Sequence, residues 1–223
     1  MKGCRIILLA ILFVSCSTTD KRAEHYQFQI YNIALDETVG DDSVYRRHQK
    51  IPPYFYLPSD NGFDSSEFRE HRRWSDSLQA ILDTATLFVV VSSKLDSFLA
   101  TDLGDDWQKL ILSDNIGRSD LDSFRYLVEG RAYTGVGVDT VDIDRLVTKY
   151  SYKIIKKGSD PDDAVRNVGL VSFSSILFNS DQSYAVLSSS YICGRLCGNG
   201  RVFFLKRIND RWVLLNVFDT WVS

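Results

Sequence analysis

The spacing of apolar residues changes character along this chain, and each change predicts a different element. Ile6 to Val14 is an unbroken apolar run. Tyr26-Gln27-Phe28-Gln29-Ile30-Tyr31 alternates apolar with polar, the period of a short strand with one face buried. Ile51-Pro52-Pro53-Tyr54-Phe55-Tyr56-Leu57-Pro58 holds three of the four prolines. Proline lacks the amide donor and restricts its neighbour, so this stretch is expected to lie extended on the domain surface. Asp64-Ser65-Ser66-Glu67 offers capping side chains to a helix running to about Ala85, along which Phe68, Trp74, Leu78, Ile81 and Leu82 fall near one face. Thr86-Leu87-Phe88-Val89-Val90-Val91 is the continuous, largely β-branched run of a strand buried on both faces. Residues 105–113 and 119–128 predict short helices.

The last third changes rhythm. Residues 150–155, 170–178, 183–193, 201–208 and 211–218 all predict strands. Asn179-Ser180-Asp181-Gln182, Gly198-Asn199-Gly200 and Asn209-Asp210 stand between them as turn chemistry, because asparagine, aspartate and glycine tolerate the positive φ of tight hairpins. In the final strand strict alternation sends Trp212, Leu214 and Phe218 one way and Val213, Leu215 and Val217 the other. Both faces are then apolar, which places this strand in mid-sheet or under helices. The pattern predicts one α+β domain over 26–223, its N-terminal helices packed on one face of a C-terminal antiparallel meander of four to five strands, mainly at 150–223.

The first residues carry an address rather than a fold. Lys2 and Arg5 precede the apolar run, and Ser15-Cys16 closes it. This is the layout of a secretory signal peptide, and nine apolar residues are too few to span a bilayer, which takes about 20. Residues 1–15 are expected to be removed, leaving 16–25 as a flexible polar tether. Composition fits a folded domain, with 44% hydrophobic and 25% charged residues and a net charge of −3. Loss of Lys2 and Arg5 makes the mature chain more acidic still. Such a balance gives no electrostatic reason to expect nucleic acid, and repulsion from anionic headgroups would hold the domain off the bilayer on its tether.

No constellation in the sequence dictates a reaction. Cys193-Gly194-Arg195-Leu196-Cys197 can form a small disulfide if the chain reverses between the two cysteines. Two free thiols, a reactive pair or half a metal site remain the alternatives. The spacing is not that of thioredoxin-like motifs, and no second cysteine pair stands by for zinc. His25, His48 and His71 all fall in the N-terminal third, and there is no Gly-x-Ser-x-Gly elbow. Asp139, Asp142 and Asp144, and Asp160, Asp162 and Asp163, do not fit a calcium loop and read as backbone caps. Gly135-Val136-Gly137-Val138 lacks the third glycine of a phosphate loop. Arg69, Arg72 and Arg73 beside Trp74 read as a solvated helix face paired with Glu67 and Glu70. No metal or cofactor is expected.

Phe13-Val14-Ser15-Cys16 resembles a bacterial lipobox, with Phe13 where leucine is commonest. The resemblance implies that the Cys16 thiol carries diacylglycerol and that its new amino group is acylated, by palmitate for example. Two or three chains together make a stable anchor. With Cys16 lipidated, Cys193 and Cys197 are an even pair in an oxidising compartment. Val171-Ser172-Phe173-Ser174, Phe178-Asn179, Ala185, Cys193-Gly194, Cys197-Gly198-Asn199-Gly200, Trp212 and Trp221-Val222-Ser223 together resemble uncharacterised exported lipoproteins of Bacteroidetes-type bacteria. That resemblance covers roughly 168–223 and the leader, and implies a compartment, an outer-membrane anchor, but no activity. The expectation is a non-catalytic binding or interaction domain of the cell envelope, tethered to the membrane at Cys16. The aromatics of the meander, Tyr184, Tyr191, Phe203, Phe204, Trp212 and Trp221, are core or candidate contact surface. An envelope hydrolase with a pocket between sheet and helices is the alternative.

Overall fold

The computed structural model describes residues 25–40, 65–97, 116–129, 139–159, 166–194 and 197–222, and at 65–71 and 75 the backbone alone. The fold is α+β: a mixed sheet of seven strands with helices against it. Helix α1 covers 25–39, α2 is Ser65–Thr84 and α3 is Arg118–Val128. The strands are β1 Phe88–Val91, β2 Lys153–Lys156, β3 Asn167–Phe173, β4 Leu177–Phe178, β5 Tyr184–Gly194, β6 Cys197–Ile208 and β7 Arg211–Val222. Their order is β2-β1-β3-β5-β6-β7, with β4 also paired to β5.

The strand-rich C-terminal part is present as the alternating pattern predicts, with three corrections. First, β1 runs parallel to both β2 and β3, so the 150–155 strand belongs to a parallel pair and not to the meander. Strands β3, β5, β6 and β7 do pair antiparallel in succession. Strand β1 lies between two neighbours and all four of its side chains are buried, which is what its run of valines is suited to.

Second, the expected strand at Tyr26–Tyr31 is the first half of helix α1. Six residues are too short a window to separate the two periods. Extended to the end of the helix, Tyr26, Ile30, Tyr31, Ala34, Leu35 and Thr38 repeat at helical spacing, and all six are buried. The helix ends in a left-handed Gly40, φ +72°, whose amide donates to Asp36 O at 3.0 Å.

Third, helices lie on both faces of the sheet rather than one. On the first face α1 and Leu82 of α2 pack against Val89, Val91, Val171, Phe173, Leu187, Phe203, Leu205 and Trp212. On the other, Leu121, Phe124, Leu127 and Val128 of α3 cover Val186, Val202 and Phe204. Each large side chain so buried is worth roughly 1.5–3 kcal/mol. Helix α2 uses less of its apolar stripe than expected: Leu82 is buried, but Trp74 is 49% and Ile81 51% exposed.

Strand β7 ends the described sheet as an edge rather than in mid-sheet, and its two apolar faces are accounted for by the other alternative, helices packed on each side. A bulge between Phe204 and Leu205 also breaks its alternation. Trp212, Leu214 and Val217 pack on the α1 side, whereas Leu215 and Phe218 pack on the α3 side. The β6–β7 turn carries Asn209 and Asp210 at φ +50° and +61°, as its sequence predicts.

The expected tether, the proline-rich stretch 51–58, the helix 105–113, Cys16, His48, Gly135, Gly137 and Asp160, Asp162 and Asp163 lie outside the described residues, as do the side chains of Phe68, Arg69 and His71.

Candidate functional site

On the α3 side the middle of the sheet changes from hydrocarbon to hydroxyl. Along β5, Ala185, Leu187, Ser189 and Tyr191 point toward α1, so Val186, Ser188 and Ser190 point the other way. Val186 lies under α3, whereas Ser188 and Ser190 are half-buried and line a cavity of about 390 Å³. Asp96, Ser97, Ser172, Ser174, Thr220 and Trp221 line it too.

Strand register explains how these side chains meet. Ser172 of β3 stands opposite Ser190 of β5, Ser190 opposite Gly200 of β6, and Gly200 opposite Trp221 of β7. A single line across four strands therefore reads serine, serine, glycine, tryptophan. The glycine is required. A Cβ on Gly200 would sit 2.0 Å from Trp221 Nε1, and one on Gly198 3.1 Å from the far edge of the same ring. The indole thus lies down over two bare glycines of β6, with 43% of the residue exposed beside the serines. Both glycines belong to β6 rather than to the turn expected for them, and the hairpin reverses between Gly194 and Cys197.

Not all the hydroxyls are equivalent. Ser189 faces α1 and shares a 2.7 Å hydrogen bond with Thr38, both buried. Ser174 Oγ accepts from Ser188 N at 2.8 Å and donates to Ser175 O at 2.9 Å. Those two hold the fold. The hydroxyls of Ser172, Ser188 and Ser190 have no hydrogen-bond partner among the described residues. Asp96 combines both traits. Its amide donates to Phe173 O and its carbonyl accepts from Ser175 N, each at 2.9 Å, which fixes its backbone. Its exposed carboxylate has no partner among the described residues.

Two devices frame the cleft. The Cys193–Cys197 disulfide closes the β5–β6 hairpin with Cα atoms 5.1 Å apart, inside the range such bonds need. At the opposite end of the same strands, Asp120 Oδ1 accepts from Tyr184 OH at 2.5 Å and from Lys206 Nζ at 2.7 Å, tying α3 to β5 and β6. Burial alone would raise the Asp120 carboxyl. The hydrogen bonds from Lys206 and Tyr184, with the Lys206 charge, outweigh it and hold the group below its ordinary 3.8. The hydrogen bond to Asp120, reinforced by Tyr184, holds Lys206 above its ordinary value. On the α1 side, burial pushes the Tyr31 hydroxyl up, with Ser174 O as its acceptor at 3.4 Å.

Of the candidate site residues singled out in the sequence, the fold joins Cys193 to Cys197. His25 pairs with Gln29 at 2.8 Å on the exposed side of α1 and does not line the cleft. Asp142 caps the short helix Ile143–Arg145 by accepting from Asp144 N, as its spacing suggests. Among the described residues, no group of three His, Cys, Asp or Glu side chains is placed to hold a metal ion, and no helix is long and apolar enough to cross a membrane. Of the meander aromatics, Phe203, Phe204, Trp212 and Tyr191 are buried, Tyr184 is half-buried and Trp221 is exposed.

The cleft residues other than Trp221 were invisible as a site in the sequence. Serines two apart in a strand are ordinary. The signal that could have found them is the glycine pair at period two inside a strand, which marks a close approach by another group. No protein-family model, no curated protein and no solved structure matches this chain.

Proposed function

We propose that this chain is an exported lipoprotein, anchored through acyl chains on Cys16, whose domain is a non-catalytic binding module of the cell envelope. Its ligand is a small, polar, uncharged molecule seated in the serine-lined cleft, and its anchor lies in the outer membrane. The N-terminal helices act as the rigid backing of the C-terminal strands that present the cleft.

One observation carries the binding reading. Three hydroxyls and a carboxylate without partners among the described residues converge beside an exposed indole in a cavity of about 390 Å³. Small-molecule sites occupy roughly 300–1,000 Å³ and combine apolar contact with a few placed polar groups. Among the described residues the lining contains no lysine or arginine, which disfavours anions. The described lining holds no histidine to activate a serine, which disfavours acyl transfer. The lipobox and the polar run after Cys16 support export, and a bonded Cys193–Cys197 pair befits an oxidising compartment.

Two measurements test this. Intact-mass analysis of the protein from native membranes is expected to show a chain beginning at Cys16 with added acyl mass. A chain still beginning at Met1 defeats the anchor. Native mass spectrometry of the full chain, equilibrated with a polar small-molecule extract of the envelope, is expected to show a retained adduct. That adduct should vanish in Ser190→Leu, which fills the cleft.

A further inference from the structure

We infer that the cleft is built for a neutral pyranose sugar, laid with one C–H face against Trp221 and its hydroxyls toward Ser172, Ser188, Ser190 and Asp96. This assignment rests on the binding-module reading and narrows its ligand.

The chemistry of the walls selects the class. A pyranose has two kinds of surface: a face of C–H bonds that gains by leaving water, and a rim of hydroxyls that must keep hydrogen-bond partners. Trp221 supplies the first complement. Its ring lies on Gly198 and Gly200, held flat by the missing Cβ atoms, and the residue is 43% exposed, so a planar apolar surface is preformed without a side chain having to be ordered on binding. The serines supply the second. A hydroxyl both donates and accepts, as each sugar hydroxyl does, so a floor of hydroxyls satisfies a polyol in several donor and acceptor patterns. Asp96 accepts only, and its two oxygens suit a pair of neighbouring hydroxyls.

Scale agrees with chemistry. Ser188 and Ser190 are two residues apart on one strand, about 7 Å. Ser172 stands across from Ser190 at roughly 5 Å. That patch is the breadth of one sugar ring, next to one indole.

The same walls turn other ligands away. Among the described residues of the lining, anions meet a carboxylate without a partner and no cation. A quaternary ammonium needs an aromatic cage, and the lining has one exposed ring. An apolar ligand would strip water from three hydroxyls and return no hydrogen bond.

The test uses the full chain and a panel of methyl glycosides of glucose, galactose, mannose and N-acetylglucosamine, with their neutral disaccharides. Ligand-observed saturation-transfer NMR is expected to detect binding by at least one, strongest at the ring C–H protons of a single face. Trp221→Ala is expected to weaken it roughly tenfold, whereas Trp221→Phe keeps most of it. Asp96→Asn, whose wild-type carboxylate has no partner among the described residues, is expected to weaken it several-fold while leaving the denaturation midpoint in place. Sugar binding that survives Trp221→Ala unchanged overturns the assignment. If no sugar binds but wild type retains an envelope adduct that Ser190→Leu loses, the cleft is a binding site and its ligand is not a sugar. If neither sugar nor adduct binds, the cleft reading falls with it.

Discussion

The two ends of strands β5 and β6 share one hydrogen-bonding ladder and differ most in what stands on the α3 side. At one end Val186, Val202 and Phe204 are sealed under α3, and the rim is clamped by Asp120, Tyr184 and Lys206. At the other, Ser188, Ser190 and Gly200 lie beside an exposed tryptophan. The backbone is indifferent to this change, because its own donors and acceptors are satisfied along the ladder. On the proposed reading, side-chain chemistry converts structural sheet into recognition surface. Apolar burial is therefore concentrated at the first end, and the cleft serines of the second can be altered at little cost to the fold.

That contrast can be broken most severely at its apolar end. Phe204→Ala removes a fully buried ring between Phe124 and the sheet. It is expected to cost about 3–5 kcal/mol, read by chemical denaturation, with α3 losing its seat. A smaller loss at Phe204 than at any cleft residue would reverse the picture.

Next in size is the hairpin that carries the tryptophan seat. Replacing Cys193 and Cys197 with serine opens a very small ring, and the loop-entropy cost is about 2 kcal/mol. Thermal melts with and without reductant should show the same loss in wild type and none in the double variant.

The clamp should follow at about 1–2 kcal/mol for Asp120→Asn. Its pH dependence has a definite sign. The Asp120 carboxyl is depressed, so its contribution is fully present above the ordinary carboxylate value of 3.8 and is lost as pH falls through the lower folded value. Lys206 is raised, so its share is present at neutral pH and is lost only as pH rises through a folded value above the ordinary 10.5. The stability gap between wild type and variant should thus stay constant near neutrality and close in acid.

Gly200→Ala probes the seam between the two ends. The added methyl displaces the indole, at an expected cost of about 1 kcal/mol and a change in near-ultraviolet circular dichroism. In a Trp221→Ala background the same substitution should cost less, because only the contact with Thr220 Oγ1 is left, and a double-mutant cycle reads the difference directly.

The smallest effect sharpens the comparison most. Ser188→Ala and Ser190→Ala remove hydroxyls that hold nothing in the described fold, so each should shift stability by about 0.5 kcal/mol or less. Loss of more than that would mean these groups serve the core after all.

How far the sequence speaks follows the same division. Burial writes itself as period and residue type, so the α3 helix, the buried β1 and the successive C-terminal strands were readable from valines, aromatics and turn residues. Three features were not. The α1 stripe needs Ala34 and Leu35 to declare a helix, and a window closing at Tyr31 stops before them. The β7 bulge slips the alternation after Leu214, so strict parity assigns Val217 and Phe218 to the wrong faces. The seat at Gly198 and Gly200 is a relation between strands far apart in sequence, and glycine next to Asn199 carries the local signature of a turn. The cleft itself depends on register, which composition and spacing do not contain.

The placement of β1 has a consequence for how the molecule comes into being. Its four residues are apolar on both sides, and the strands that flank it, β2 and β3, are encoded after residue 152. As the chain is made from its beginning, Phe88-Val89-Val90-Val91 exists for a time as an unpaired, sticky segment with two open edges. Such late, long-range pairing slows folding and invites self-association. Whatever escorts the nascent chain must shield this short stretch until its partners arrive.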